Sequence, residues 1–208
     1  MLKAFVLKML ELREIGYHPA TAEKAVLKEV NLKVESQRPL IISGASGSGK
    51  TSLLELIGGL TRPSNGKIYW NRKITNDRQR RAICGIVFQF PERHFIGLTT
   101  SQELRLGHRR LSGDLQTEII KKVGLGSIDI TAAPETLSGG QQRRLSIAVQ
   151  LIRKPKILLL DEPTAGLDWS VRDEILLLIK ELSKEQLLII VTHEPELFSN
   201  WNTSELHL

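Results

Sequence analysis

Three stretches of this 208-residue chain hold side chains suited to phosphate chemistry. The first, "GASGSGKTS" at 44–52, follows the apolar run "PLIIS" and precedes a leucine-rich helical pattern. A strand, then G-x-x-x-x-G-K-T, then a helix is the setting in which such a loop cradles phosphates. The glycines let backbone N–H groups turn inward on anionic oxygens, and the helix N-terminus adds positive potential. Gly44, Ala45, Ser46, Gly47, Ser48, Gly49, Lys50, Thr51 and Ser52 are therefore expected around a nucleotide. Lys50 would reach the β- and γ-phosphates, and Thr51 would offer its hydroxyl to Mg²⁺.

The second stretch, "KILLLDEP" at 156–163, is an apolar strand ending in two carboxylates. Asp161, at the end of such a strand, suits Mg²⁺ or its water shell. Glu162 is the candidate general base or water positioner. The third, "LLIIVTHEPE", closes on His193, which is either a structural histidine or a group that donates to a γ-phosphate or orients a water. A further glycine pair occurs in "ETLSGGQQRRLSIAVQL" at 135–151. Ser138, Gly139 and Gly140 open a helical pattern there and form a second anion-binding helix start. One phosphate loop saturates the β-side of a triphosphate, so a second start is surplus unless it approaches from the opposite face.

Composition permits a folded enzyme and leaves its partner open. Apolar residues make up 41% and charged residues 25%, near the globular average, which speaks against disorder. The net charge of +6 is compatible with nucleotides, nucleic acid or an anionic membrane surface. Cys84 is the single cysteine, which excludes an intrachain disulfide and reads as a small core residue in a reducing compartment. No apolar run approaches the length of a membrane-spanning helix, so a soluble chain is predicted. "MLKAFVLKMLELREIGY" lacks the features of a cleaved leader and reads as folded from the start.

The elements that must position these residues follow from periodicity. Strand patterns lie near 3–14, 28–34, 39–43, 66–70, 83–88, 157–161 and 187–192, and helical ones near 50–58, 116–123, 141–153 and 170–183. Their alternation predicts a largely parallel sheet with helices on its faces. Strand signals vanish between 91 and 150, which predicts a helical insertion.

"LSGGQ", taken with "GASGSGKT", "LLLDEP", "AGLD" and "VTHE" in their order, resembles the ATP-binding cassette (ABC) ATPase family from Tyr17 to His193. The resemblance implies an α/β phosphate-loop core with a mostly parallel sheet, a small antiparallel β subdomain and an inserted α-helical subdomain. It implies one domain over 1–208, with the core and antiparallel part near 1–90 and 155–208 and the helical part near 91–150. It further implies head-to-tail pairing, in which Leu137, Ser138, Gly139, Gly140 and Gln141 of one copy seal ATP on the phosphate loop of the other. In the same way Asp168 would cross the dimer interface, Gln89 would touch Mg²⁺ and link core to insertion, and Tyr17 would stack on adenine. Lys50, Glu162, His193 and Gln89 would form the catalytic set for ATP hydrolysis.

"FPERHFIG" after Gln89 resembles the energy-coupling-factor and cobalt/nickel branch, with Phe95-Ile96 standing where Leu-Phe is usual. That branch implies import of a metal ion or vitamin, with His94 and Phe95 contacting a transmembrane partner. Arg143 and Arg144 also fit the branch, at least one of them as solvated charge. Trp169 stands where most relatives carry proline, a substitution associated with cyanobacterial and plastid members. The expected partners are ATP, a transmembrane transporter subunit, and a second copy or second ABC ATPase joined on ATP binding. The expected place is the cytoplasmic face of the cell membrane, as a peripheral subunit that is a monomer without ATP. A cassette acting on nucleic acid or the ribosome is the alternative; a single cassette of this size lacks the fused partner or arms of that class, so no nucleic acid is expected. An ATP-binding regulatory cassette is a third reading, against which the intact Glu162 and His193 speak.

Overall fold

Two runs without an interior polar residue, "ILLLD" and "LLIIV", have the pattern of parallel strands covered on both faces. The computed structural model, which describes residues 8–20, 22–108 and 110–208, makes them central strands. In chain order the strands are β1 (Met9–Tyr17), β2 (Leu27–Glu35), β3 (Leu40–Ser43), β4 (Asn65–Trp70), β5 (Lys73–Ile74), β6 (Cys84–Val87), β7 (Ile157–Asp161), β8 (Leu187–Val191) and β9 (Ser204–His207). The helices are α1 (Lys50–Gly58), α2 (Asp77–Ile83), α3 (Thr100–Arg105), α4 (Gly113–Lys122), α5 (Gly139–Ile152) and α6 (Trp169–Ser183). One sheet is parallel, in the order β6-β7-β8-β3-β9; the other is antiparallel, in the order β2-β1-β4-β5.

The two-residue period of the strands sorts the core. Ile157 and Leu159 of β7, Leu187 and Ile189 of β8, and Leu40 and Ile42 of β3 face a cluster shared with α1 and the antiparallel sheet. Leu158, Leu160, Leu188, Ile190 and Ile41 face the other cluster, shared with α4, α5 and α6. Each of these side chains is at most 1% exposed. Full burial of a leucine or isoleucine contributes about 1.5–3 kcal/mol. Both faces of these strands are apolar, so a one-residue slip would exchange faces without exposing them, and the Asp161–Thr51 hydrogen bond favours the observed register of β7.

Local chemistry fixes the helix that matters most for the site. Gly49 caps α1 with φ 100°, and a Cβ there would meet Val26 at 2.8 Å and Leu27 at 2.9 Å. Both facts require glycine. At the far end Gly59, φ 75°, closes the helix through bonds from its own N–H and that of Leu60.

Several elements depart from expectation. The first strand runs from Met9 to Tyr17, and the part expected before residue 8 lies outside the described residues. α4 starts at Gly113 because the Ser112 hydroxyl caps it by accepting from the N–H of Leu115. α2, α3, β5 and β9 had no counterpart in the periodicity. Among the described residues no strand interrupts 91–150, and no helix is long and apolar enough to cross a membrane.

Candidate active site

The parallel sheet delivers its functional residues to one edge, the C-terminal ends of β3, β7 and β8. Asp161 pairs in register with Val191, and Glu162 extends the ladder by donating its N–H to the Val191 carbonyl at 2.9 Å. Asp161 shares the face of Ile157 and Leu159, the one covered by α1, and its Oδ2 accepts from the Thr51 hydroxyl at 2.9 Å. Glu162 takes φ 47°, in the left-handed region seldom adopted by residues with a side chain, and leaves the strand direction there.

A cleft of about 320 Å³ collects these groups. Its lining comprises Val26, Ser46, Gly47, Gly49, Lys50, Thr51, Ser52, Gln89, Asp161, Glu162 and His193. Lys50 is buried and curls back, its Nζ donating to the carbonyls of Gly44 at 2.9 Å and Ala45 at 2.7 Å. Three ammonium protons and two partners leave one donor for a ligand. Among the described residues the buried hydroxyl of Ser48, within the glycine-rich loop, has no hydrogen-bonding partner.

The acids are shaped by desolvation. Burial pushes the carboxyls of Asp161 and Glu162 above the ordinary carboxylate range. The Thr51 hydroxyl and Lys50 oppose that shift at Asp161, and the His193 backbone N–H opposes it at Glu162. Glu162 Oε2 accepts from that N–H at 3.3 Å. The other oxygen, Oε1, lies 3.4 Å from His193 Nε2, outside hydrogen-bonding geometry, and is left without a partner. A buried, unpaired carboxylate oxygen of raised basicity is what proton abstraction from water calls for.

The donors suit Mg²⁺ as well as phosphate. A hydroxyl, a carboxylate and the Gln89 amide share the cleft, and such hard oxygens are the ligands that Mg²⁺ takes. The octahedral preference of that ion leaves further positions to water and phosphate, so a cage of several carboxylates is not needed; among the described residues none exists.

Other sequence-expected residues lie apart from the cleft. Tyr17 ends β1, and its hydroxyl accepts from that of Thr61 at 3.3 Å; Val26, not Tyr17, lines the cleft. Leu137, Ser138, Gly139, Gly140, Gln141 and Asp168 are also absent from the lining. Leu137–Gln141 gather at the start of α5, where the Ser138 hydroxyl accepts from the Gln141 N–H and the Gln141 side chain accepts from the Ser138 N–H, while Asp168 precedes α6 as its N-cap. This capping box leaves the Ser138 hydroxyl proton free to donate. Ser138, Gly139 and Asp168 are exposed. The chain thus carries a cleft and, apart from it, an exposed helix start at Ser138.

A second, apolar groove of about 360 Å³ is lined by Ile86, Val87, Phe88, Pro91, His94, Phe95, Glu103, Ser146, Val149 and Gln150. Phe90, at φ 54°, turns the chain from Gln89 into this wall. Glu103 fixes it by accepting the N–H groups of Ile96 at 3.0 Å and Gly97 at 2.7 Å. His94 and Phe95 both fall on the groove.

Of the arginine pair, neither is a solvated helix charge. Arg143 is buried, and Arg144 bonds the Val123 carbonyl and pairs with Glu174. The signal for Arg143 was present: Gly140, Ile147 and Leu151 lie three, four and eight residues away, all on the buried stripe of α5.

Residues 27–165 match the protein family described as ABC transporter. The chain is 39% identical over 201 residues to ABC transporter I family member 11, chloroplastic, of Arabidopsis thaliana, spanning 89% of this chain and 72% of the relative. It is 37% identical over 195 residues to the energy-coupling factor transporter ATP-binding protein of Clostridium acetobutylicum, spanning 86% and 68%. A solved dimeric bacterial ABC transporter cassette superposes with a TM-score of 0.81 at 30% identity, over 95% of this chain and 94% of that one.

Proposed function

The chain belongs to the ABC transporter family, whose ATP-binding subunits hydrolyse ATP, and we propose that it drives an importer of the energy-coupling-factor type for a metal ion or vitamin. We read 1–208 as one cassette whose helical part spans about 91–150. It works as a peripheral subunit on the cytoplasmic face of the membrane, with a transmembrane partner in the groove at His94 and Phe95. The relatives' names support the transporter assignment, and the "FPERHFIG" wall supports the branch.

The observation that carries the reading is the separation of the cleft from the Ser138 turn. Each half has donors for a triphosphate, and each is exposed on a single copy. Two copies set head to tail would close the Ser138 turn of one over the cleft of the other, and the description of the solved cassette as dimeric supports pairing of two copies.

Within the cleft, Lys50 and the inward N–H groups of Gly47–Thr51 would hold the phosphates, and Tyr17 the adenine. Thr51, Asp161 and Gln89 would hold Mg²⁺, which when bound offsets charge on the phosphoryl oxygens. Glu162 would take a proton from the attacking water through Oε1, with Oε2 fixed by the His193 N–H. His193, half exposed over Oε1, would turn to the γ-phosphate, and the partner's turn would complete the donor set.

The test is a pull-down with Glu162→Gln protein, ATP and Mg²⁺ from detergent-solubilised membranes, with partners identified by mass spectrometry. Loss of the base should hold the closed dimer together and recover a small polytopic membrane protein. Recovery of nucleic acid or ribosomal proteins without an integral membrane protein would overturn the transport reading.

A further inference from the structure

Arg143 is a charged side chain, 3% exposed, outside the lining of the cleft. It lies on α5, one turn beyond the Ser138–Gln141 capping box. Among the described residues no carboxylate comes within ion-pair distance of it. Its partners are two main-chain carbonyls: Nη1 donates to that of Glu162 at 3.3 Å, and Nη2 to that of Ala165 at 3.2 Å. Burial without a carboxylate in contact is costly for a guanidinium and pushes its pKa down, opposed by the charge of Glu92. The fold keeps the charge there and commits it to one four-residue turn.

That turn mounts the candidate base. Glu162 holds the left-handed φ of 47°, and its carbonyl also accepts the Ala165 N–H at 3.2 Å. With Arg143 added, both lone pairs of the carbonyl are used. The rigid planar geometry of the guanidinium ties two carbonyls three residues apart into one body. Packing joins the same two elements nearer the surface, since a Cβ on Gly140 would fall 2.3 Å from Val171 Cγ1 and one on Gly139 would lie 3.8 Å from Leu167 Cδ2. The start of α5 and the segment 162–171 are therefore joined by both hydrogen bonds and packing.

We propose that Arg143 is a positioning residue that couples the two nucleotide sites of the dimer: engagement of the Ser138 turn by a partner's ATP sets, through Arg143, the backbone that carries this copy's own Glu162. The inference rests on the reading above in which the Ser138 turn serves the partner's nucleotide and Glu162 serves the local one. In the nucleotide-free chain the link holds Glu162 in its turn. In the closed dimer it makes each base respond to the opposite ATP.

The experiment measures the basal ATPase of the purified full chain for Arg143→Met and Arg143→Lys beside wild type and Glu162→Gln. Nucleotide affinity is followed with a fluorescent ATP analogue, and folding by thermal unfolding. Methionine keeps the apolar stem and removes both donors. Lysine restores one. Displacement of a catalytic group by about 1 Å costs on the order of 100-fold, so Arg143→Met should lose roughly 10- to 100-fold in kcat. Its affinity for the analogue should stay within about twofold, and its cooperativity in ATP should fall toward a Hill coefficient of 1. Arg143→Lys should regain part of both losses. The inference is overturned if Arg143→Met keeps wild-type kcat and cooperativity. It is equally overturned if kcat and affinity fall together with the folded fraction and return on cooling, since that is a stability role alone. If Glu162→Gln retains turnover, the underlying reading fails and takes the inference with it; if only Arg143→Met retains turnover, the inference alone fails.

Discussion

Alanine at two adjacent glycines, Gly139 and Gly140, should have opposite consequences. Both occupy the first turn of α5, so both substitutions gain the helix propensity of alanine, about 0.5–1 kcal/mol in a helix interior. They differ in what the new methyl meets. At Gly139 the nearest atom, Leu167 Cδ2, is 3.8 Å from the Cβ position, an ordinary contact. At Gly140 it is Val171 Cγ1 at 2.3 Å, and Val171 lies in the first turn of α6, where a β-branched side chain has essentially one rotamer. The clash cannot be turned aside by a rotation, so α5 and α6 must part. Overpacking of this kind costs typically about 1–3 kcal/mol. Propensity cancels between the two variants, so their stabilities should differ by about that amount. For a chain of this size each kcal/mol is worth about 2–4 °C, which places Gly140→Ala roughly 2–12 °C below Gly139→Ala in Tm. Thermal and urea unfolding of the nucleotide-free protein measure the gap. Equal stability of the two variants would refute the packing of the Ser138 turn against the 167–171 segment.

The thiol of Cys84, with its pKa pushed up to about 12 by burial, should resist alkylation in the folded protein. At pH 8.5 about 0.03% of it would be thiolate, against roughly a quarter for a thiol at the ordinary value near 9, so native labelling by iodoacetamide should be slower than labelling in urea by about three orders of magnitude. Because the folded pKa is the higher one, this group's contribution to stability is complete below about pH 9 and is lost as the pH rises toward 12, where the unfolded chain ionises first. A midpoint of urea unfolding that rose over that range would contradict the assignment. The Arg172–Glu194 pair, 3.1 Å apart beside His193, is partly exposed on both sides, so a double-mutant cycle with Arg172→Met and Glu194→Gln should give a coupling of about 0.2–1 kcal/mol in urea unfolding. A coupling above about 2 kcal/mol would mean that the pair is desolvated.

The cleft was legible because each of its parts follows an apolar strand in local sequence: "PLIIS" before Lys50, "KILLL" before Asp161 and "LLIIV" before His193. Alternation along β7 places Asp161 on the face of Ile157 and Leu159, whereas the left-handed backbone of Glu162 has no local signal. The elements that escaped had no local apolar signal. β9, "SELH", is half exposed along its length and owes its existence to β3, more than 150 residues earlier. α2 was recoverable from Asn76 and Gln79, whose capping box marks its start. The expectation that at least one of Arg143 and Arg144 is solvated fails because it weighs charge over position, and helical spacing places Arg143 among buried neighbours. Tyr17 was assigned by the resemblance alone; its relation to the cleft depends on how β1 is placed against β3, which no local pattern encodes.

The order of the parallel sheet imposes a timetable on biosynthesis. β3, which feeds the phosphate loop, ends at Ser43, yet its two hydrogen-bonded neighbours are β8 and β9, at 187–191 and 204–207. A ribosome adding about 5–20 residues per second leaves β3 without either neighbour for roughly 7–30 seconds after it is made. Through that interval "LIIS" is an apolar strand with two open edges, a template for intermolecular pairing that must be shielded while the helices between 100 and 183 emerge. Nucleotide capture is then among the last events in the making of the molecule: a nascent or truncated chain that lacks residues 187–207 has the loop sequence for ATP but no sheet to hold the loop in shape.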